Sequence, residues 1–167
     1  MIWWQLEGKN AERAAAIASG IVGLVRSGFL VVDADSGEPR AVRWGDIAVL
    51  GAGSWGTTLA DLLARKGETV RLWAHEPEVV DAVNARHMNP LFLPDSPLAP
   101  SLRAFGDPGE AVSGAEVVLS VAPSHAVRSV IERVRSDVAP GTLVVSATKG
   151  IENGSLALMS DIFEAVL

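Results

Sequence analysis

The sequence predicts an α/β protein whose parallel sheet is covered by helices on both faces. Short, continuous apolar runs recur along the chain, as strands buried on both faces require. Segments with helical periodicity separate these runs, and Gly or Pro falls at the boundaries. The alternation extends over about 120 residues, which favours right-handed crossovers and a doubly wound sheet. Ligands of such sheets bind beyond the carboxyl ends of the strands, so the residues that follow each strand are the candidate site.

The regular pattern begins at Asp46, just before the apolar run Ile-Ala-Val-Leu. Gly67 is positioned to end the first helix, and Pro77 suits the first turn of the second. The prolines within residues 88–100 predict a loop. The predicted strands cover residues 47–50, 69–73, 102–105, 117–121 and 143–146. The predicted helices cover residues 57–66, 77–86, a short segment from 107, 124–135 and 155–167.

Residues 1–45 contain no recognised motif and are predicted to be an N-terminal extension. Residues 11–26 have the pattern of a helix, and residues 29–32 and 41–44 have that of two short strands. Turn-forming residues 33–40 lie between these strands, which predicts a hairpin. The extension is an added element, a remnant of a neighbouring domain, or leader sequence from a wrongly chosen start codon.

Composition limits the possible functions. The chain of 167 residues has a net charge of −6 and is 49% hydrophobic, which is typical of a globular protein. No basic run could follow a phosphate backbone, so nucleic acid is not an expected partner. The absence of cysteine excludes disulfides, thiolate zinc sites and cysteine nucleophiles. The apolar segment 14–25 is shorter than the roughly 20 residues that span a bilayer and lacks a signal-peptide pattern, so we expect a cytoplasmic protein without a membrane anchor.

Residues 51–56 form a complete G-x-G-x-x-G between a buried strand and a helix. Gly51 permits the tight turn, Gly53 allows a pyrophosphate to approach the backbone, and Gly56 lets the helix pack close to the strand. The free N–H groups and the dipole at the helix start favour anionic phosphates. The motif therefore predicts a Rossmann-like dinucleotide site, with a glycine-rich turn that binds nothing as the alternative. Trp55, in the variable part of the turn, either packs over the cofactor or covers the core.

The end of the second strand bears on the choice of cofactor. An NAD-selective site places Asp or Glu there, bonded to the ribose hydroxyls. The expected position falls at Ala74, so no carboxylate there repels a 2′-phosphate, and His75 can donate a hydrogen bond or carry partial positive charge. This favours NADP, or use of both cofactors, over strict NAD. Alternatively, His75 is a solvated loop residue, or Glu76 reaches the ribose and reverses the preference.

Polar residues also follow the fourth and fifth predicted strands. Ser124 is predicted to cap the next helix, and His125 is expected to be solvated there or to touch the cofactor. Lys149, with Gly150 beside it, can meet a phosphate, a hydroxyl or a carbonyl oxygen, and a solvated loop lysine is the alternative. No residue cluster indicates a metal site, and no G-x-S-x-G indicates a serine triad.

Five landmarks, taken in order, resemble NAD(P)-dependent glycerol-3-phosphate dehydrogenases of the bacterial type. The resemblance runs from Asp46 to Leu167 and is much more specific than the glycine turn alone. The matching stretches are residues 47–57 (IAVLGAGSWGT), 70–73 (VRLW), 89–95 with its Phe-Leu-Pro, 121–124 (VAPS) and 146–152 (SATKGIE).

The resemblance implies reduction of dihydroxyacetone phosphate to sn-glycerol 3-phosphate for phospholipid synthesis, with NAD or NADP as cofactor. It implies that Ser54, Trp55 and His75 bind the cofactor and that Lys149 contacts both cofactor and phosphorylated substrate. It places the catalytic lysine in a mostly helical C-terminal domain, beyond Leu167. The chain is therefore expected to be the nucleotide-binding part, residues 46–167, truncated before that domain and inactive alone, with a homodimer as a possible assembly.

Two alternatives belong to other classes of protein. One is a non-catalytic dinucleotide-sensing module that reports cofactor state to a partner through residues 1–45. The other is the N-terminal part of a different two-domain dehydrogenase, acting on a hydroxyacid or a sugar nucleotide. The segment Thr148-Lys149-Gly150 argues against this last alternative.

Overall fold

The structure, a computed structural model, describes residues 44–167 and two short strands before them. These two strands, β1 (Val31–Val32) and β2 (Pro39–Arg40), pair antiparallel. The sequence places Pro39 and Arg40 in the turn of a hairpin, whereas the structure places them in its second strand. The helix predicted over residues 11–26 lies outside the described residues. Residues Gly45–Leu167 belong to one compact unit that does not include β1 and β2.

Five parallel strands form the sheet of this unit. They are β3 (Asp46–Leu50), β4 (Thr69–Trp73), β5 (Arg103–Phe105), β6 (Val117–Ser120) and β7 (Leu143–Ser146). Their spatial order is β5-β4-β3-β6-β7, and every neighbouring pair is parallel. The chain thus winds outward from β3 in both directions, which confirms the predicted doubly wound α/β fold.

Five helices alternate with these strands. They are α1 (Ser54–Arg65), α2 (Pro77–Arg86), α3 (Pro108–Val112), α4 (Val127–Val134) and α5 (Met159–Val166). Local signals fix several of their ends. Pro77 opens α2, and His87 ends it in the left-handed conformation with φ 51°. Asp107 caps α3 by accepting a hydrogen bond from the Glu110 N–H at 2.9 Å.

The core lies between the sheet and its helices. β3 is buried on both faces, because residues 47–50 expose at most 2% of their surface. On one face, Leu50 packs in a cluster with Ile131 of α4 and Ile162 of α5, and each of the three is fully buried. Burying one such side chain contributes about 1.5–3 kcal/mol. None of the described helices is long and apolar enough to cross a membrane.

Three predicted helix starts are wrong by a few residues. The first helix begins at Ser54, inside the glycine motif, rather than at residue 57. The fourth begins at Val127, because residues 124–126 form a separate turn in which the Ala126 N–H donates to the Pro123 carbonyl at 2.8 Å. Ser124 is therefore not the cap, a position that Ala126 occupies. The last begins at Met159, because Leu156 adopts a left-handed conformation with φ 59° that interrupts helical geometry.

Candidate functional site

The carboxyl edge of the sheet collects every residue that the sequence predicts to bind a ligand. Residues 51–56 follow β3, His75 follows β4, and Lys149 follows β7. Since β4 and β6 flank β3, His75 lies to one side of the glycine turn and Lys149 to the other. Neighbouring strands are about 4.8 Å apart, which separates the ends of β3 and β7 by about 10 Å. An extended ligand that crosses the edge over β3 can therefore meet both sides.

Two of the three motif glycines are required by close packing of the backbone. Gly51 has φ +122°, and a Cβ there would lie 3.0 Å from the Ala122 nitrogen. A Cβ on Gly56 would lie only 1.8 Å from the Gly51 carbonyl oxygen. These contacts give Gly51 and Gly56 the roles that the motif predicts for turn and helix packing. Residues with side chains would force the strand, the turn and α1 apart.

Gly53 differs from the other two, because nothing lies within 4 Å of the place where its Cβ would be. Its φ of −63° and ψ of 177° are open to any residue. It is also exposed, at the N-cap of α1. Local packing therefore does not require a glycine here, whereas close approach of a ligand to the backbone would.

The first turn of α1 presents N–H groups that the helix itself cannot pair. No side chain caps this end, and its first turn contains no acidic residue. Ser54 and Trp55 both lie exposed here, and Trp55 exposes 56% of its surface. The hydroxyl of Ser54 donates to the Phe92 carbonyl at 2.5 Å. The backbone N–H of Ser54, at the start of the helix, takes no part in this bond. The dipole and the free N–H groups make this end suitable for an anion.

A loop that sequence reasoning did not include in the site packs against the glycine turn. Its anchor is Asn89, whose fully buried side chain bonds to the turn and to α1. The signal that could have revealed it is Thr57, which shares the buried face of α1 with Ala60 and Ala64. A hydroxyl on a buried helix face needs a polar partner, and here that partner comes from a loop 32 residues further along the chain.

The end of β4 is held by contacts of Trp73, and His75 follows it. Trp73 is buried, and its indole N–H donates to the Gly106 carbonyl at 3.1 Å. The guanidinium of Arg133 lies 5.8 Å from the Trp73 ring centroid, a cation–π distance. His75 is exposed, with its ring edge-on to Trp73 at 6.4 Å. Ala74, the position where a carboxylate would select NAD, is fully buried.

The segment after β7 holds Lys149 exposed at the edge of the sheet. Thr148 fixes the strand end, because its hydroxyl donates to the Ala122 carbonyl at 2.8 Å. Gly150, with φ +115°, faces Ser124, whose hydroxyl oxygen would lie 3.1 Å from a Cβ at that position. Ser124 thus packs against the lysine segment, while His125 is exposed, which is consistent with both of its interpretations.

A bidentate ion pair anchors the far side of this segment. Arg128 donates to the Glu152 carboxylate through Nε at 2.7 Å and through Nη2 at 2.9 Å. The Ser155 hydroxyl donates to the same carboxylate. The hydrogen bonds from Arg128, followed by that from Ser155, lower the pKa of Glu152 from 4.5 to about 2. The pair ties residues 149–152 to α4 and is a positioning contact that sequence reasoning missed.

The fold and this edge define a class of protein. A buried strand, a G-x-G-x-x-G turn and an uncapped helix start at the centre of a doubly wound sheet are the features of a dinucleotide-binding Rossmann domain. In the described residues no group of three or more acidic or histidine side chains is placed to hold a metal ion.

Comparison with known proteins identifies the family within this class. The family model described as "NAD-dependent glycerol-3-phosphate dehydrogenase N-terminus" matches residues 46–167, and the chain belongs to this family. The relatives include glycerol-3-phosphate dehydrogenases [NAD(P)+] of Nitratidesulfovibrio vulgaris strain DP4, 50% identical over 121 residues, and of Syntrophotalea carbinolica, 45% identical over 122 residues. These alignments cover 72% and 73% of this chain, and 37% of each relative.

A solved structure agrees with the sequence comparison. The crystal structure of glycerol-3-phosphate dehydrogenase from Coxiella burnetii is 40% identical to this chain, with a TM-score of 0.68. The match covers 73% of this chain and 37% of that one. The predicted resemblance is thus confirmed, and neither alternative class is favoured. The chain spans a little over a third of the length of the relatives it matches.

Proposed function

We propose that residues 46–167 bind NAD(H) or NADP(H) and form the cofactor-binding portion of a glycerol-3-phosphate dehydrogenase. The enzyme would interconvert dihydroxyacetone phosphate and sn-glycerol 3-phosphate. One observation carries the proposal: the open side of Gly53 lies at the uncapped start of α1, where backbone N–H groups have no intrahelical partner. The names of the relatives supply the cofactor and the substrate.

The residues of the edge fit a dinucleotide. A diphosphate can approach Gly53 without meeting a side chain, and no carboxylate in the first turn of α1 would repel it. Ser54 offers its N–H to the phosphates, and the exposed Trp55 packs against the bound cofactor rather than in the core. The cofactor supplies the hydride, while the protein binds it and sets its orientation.

His75 and Lys149 complete the site at its two ends. We assign His75 to the adenosine ribose, where its imidazole can bond a hydroxyl or a 2′-phosphate. Because the exposed His75 can meet a 2′-phosphate, use of NADP or of both cofactors is favoured over strict NAD. Lys149 is assigned to cofactor and substrate, since an exposed ammonium group at this edge suits a phosphorylated ligand.

Turnover is assigned to the whole enzyme, to which residues 46–167 contribute the cofactor site. The relatives are much longer than the matched part, and the resemblance places the catalytic lysine in their C-terminal half. We therefore propose that residues 46–167 supply dinucleotide binding to the whole enzyme. A role in phospholipid synthesis, a cytoplasmic location and a homodimer belong to the same proposal. The absence of cysteine is compatible with that location.

The variant Gly53→Ala tests the proposal. Its Cβ meets no protein atom within 4 Å but enters the space assigned to the diphosphate, so the fold should survive and affinity should fall. We expect NADH and NADPH to bind at least about tenfold more weakly, as after loss of one charge-assisted hydrogen bond. Ser136→Ala is the control, since Ser136 is exposed in the connection between α4 and β7, at the opposite edge of the sheet. Equal affinity of wild type and Gly53→Ala for both cofactors would refute the proposed site.

A further inference from the structure

Near the site, the buried side chain of Asn89 has a hydrogen-bond partner for both amide hydrogens and for its oxygen. Its Nδ2 donates to the Ala52 carbonyl at 2.9 Å and to the Thr57 hydroxyl at 2.8 Å, which uses both amide hydrogens. The Thr57 hydroxyl in turn donates to the same Ala52 carbonyl at 2.9 Å. The Asn89 Oδ1 accepts from the Phe92 N–H at 3.1 Å. Asn89 and Thr57 are both fully buried, so water does not compete for these bonds.

This network fixes one peptide of the glycine turn. The Ala52 carbonyl accepts two hydrogen bonds, from Asn89 and from Thr57, and is held toward the interior. In a planar trans peptide the N–H points opposite to the C=O, so the Gly53 N–H is directed away from Asn89. Nothing lies within 4 Å of a Cβ built on Gly53, so a ligand can approach the backbone of this residue. The orientation of this donor therefore depends on a side chain from another segment.

The same segment is tied to the start of α1. The Leu93 N–H donates to the Asn89 carbonyl at 2.9 Å, which closes residues 89–93 into a turn. The Ser54 hydroxyl donates to the Phe92 carbonyl at 2.5 Å. Residues 89–93, the peptide between Ala52 and Gly53, and the first turn of α1 are thus held together by hydrogen bonds. A change at Asn89 reaches the phosphate-binding backbone through these bonds.

We propose that Asn89 is a positioning residue of the dinucleotide site, which holds the glycine turn in the shape that presents the N–H groups of Gly53 and of the first turn of α1 to a diphosphate. The inference rests on the proposed function, because it assigns the diphosphate to this turn. Asn89 does not touch the ligand. Its removal lowers affinity for diphosphates specifically and leaves contacts to the adenosine unchanged.

The variant Asn89→Asp separates positioning from general stability. It is close in shape to asparagine but replaces both donated hydrogens by a carboxylate oxygen, which faces the Ala52 carbonyl. ADP and adenosine are titrated into the 167-residue chain, with backbone amide shifts measured by NMR as the readout. We expect ADP affinity to fall about tenfold or more, the Gly53 amide shift on adding ADP to diminish, and adenosine affinity to change less than about twofold. Equal losses for ADP and adenosine, or an unchanged ADP affinity, would overturn the inference.

Two further variants make the result decisive. Asn84→Asp is the matched control, because Asn84 also exchanges two hydrogen bonds of 2.9 Å, with Ala104, but has no bond to the glycine turn. It should leave ADP affinity unchanged. Thr57→Val keeps the shape of the side chain and removes the hydroxyl between Asn89 and Ala52, and we expect about a threefold loss for ADP alone. If Asn89→Asp does not fold, Thr57→Val decides, and unchanged ADP affinity rejects the role.

The wild-type chain distinguishes failure of this inference from failure of the proposed function. A wild-type chain that binds neither NADH nor ADP overturns both. A wild-type chain that binds them, with an Asn89→Asp variant that binds ADP equally well, overturns the positioning role alone.

Discussion

The substitution Gly56→Ala tests whether the contact between α1 and β3 is rigid. An added Cβ would lie 1.8 Å from the Gly51 carbonyl oxygen, about 1.2 Å closer than Cβ atoms approach in proteins. The obstacle is backbone rather than the end of a flexible side chain. The Gly51 backbone cannot easily move away, because it already packs closely against the backbone of Ala122. A Cβ built on Gly51 would lie only 3.0 Å from the Ala122 nitrogen. The Gly51 N–H also donates to the Trp73 carbonyl at 3.2 Å, which ties the turn to β4.

The magnitude follows from the size of the overlap. Overpacking of a close-packed interior typically lowers the free energy of unfolding by about 1–3 kcal/mol. Because only movement of the backbone can remove this overlap, we expect a loss at the upper end for Gly56→Ala, about 3 kcal/mol. For a domain of this length each kcal/mol lowers Tm by about 3–4 °C, so we expect a loss of about 10 °C. The assay is thermal and urea unfolding followed by circular dichroism.

The control for this experiment is Gly53→Ala in the same turn. Its Cβ has no neighbour within 4 Å, and the lost N-cap preference of glycine is offset by reduced freedom of the unfolded chain. We expect its stability to stay within about 1 kcal/mol of wild type. A Gly56→Ala variant that also stays within this range would show that the helix moves away at little cost, which contradicts the packing role given to Gly56.

Two further predictions concern stability. Glu152→Gln should lower the urea midpoint at neutral pH. The pKa of Glu152 is lowered from 4.5 to about 2, so the charged carboxylate stabilises the fold above pH 4.5. This stabilisation is lost as the pH falls toward 2. Urea midpoints measured from about pH 3 to 7 should therefore fall less steeply with acid in this variant than in wild type or in the control Glu164→Gln, and equal slopes would contradict the role of Arg128. Ile162→Ala should cost about 2–5 kcal/mol in chemical denaturation, whereas Leu156→Ala, at a side chain 68% exposed, should stay within about 0.5 kcal/mol. Similar losses for both would show that α5 is not packed as described.

The strands and their parallel pairing were predictable because each depends on a local pattern. A short continuous apolar run such as residues 47–50, followed at once by a glycine turn, favours a strand covered on both faces, and the intervening helices favour parallel pairing. The glycine motif is equally local, since turn, close approach and helix packing all fall within residues 51–56. The family resemblance followed from the same stretches.

The errors arise where side chains compete with the backbone. Ser155 was assigned to the last helix, but its hydroxyl donates to the Glu152 carboxylate and holds the chain in a turn. Ser124 was assigned as a cap, but it faces Gly150, 26 residues away in the sequence. The role of Asn89 is not evident from the sequence, because its bonds to Ala52 and Thr57 join segments 37 and 32 residues apart. Periodicity and spacing carry no information on such contacts.

The three glycines of the turn separate what the fold requires from what a ligand would require. Gly51 and Gly56 are needed in any protein with this packing, whether or not it binds a cofactor, because a Cβ at either position meets backbone. Packing does not require a glycine at position 53, because its dihedral angles suit any residue and nothing lies within 4 Å of a Cβ built there. A glycine also costs conformational entropy relative to alanine, by roughly 0.5–1 kcal/mol. Glycine is a favoured residue at the N-cap of a helix, and at this position it also leaves room for the close approach of the diphosphate that we propose.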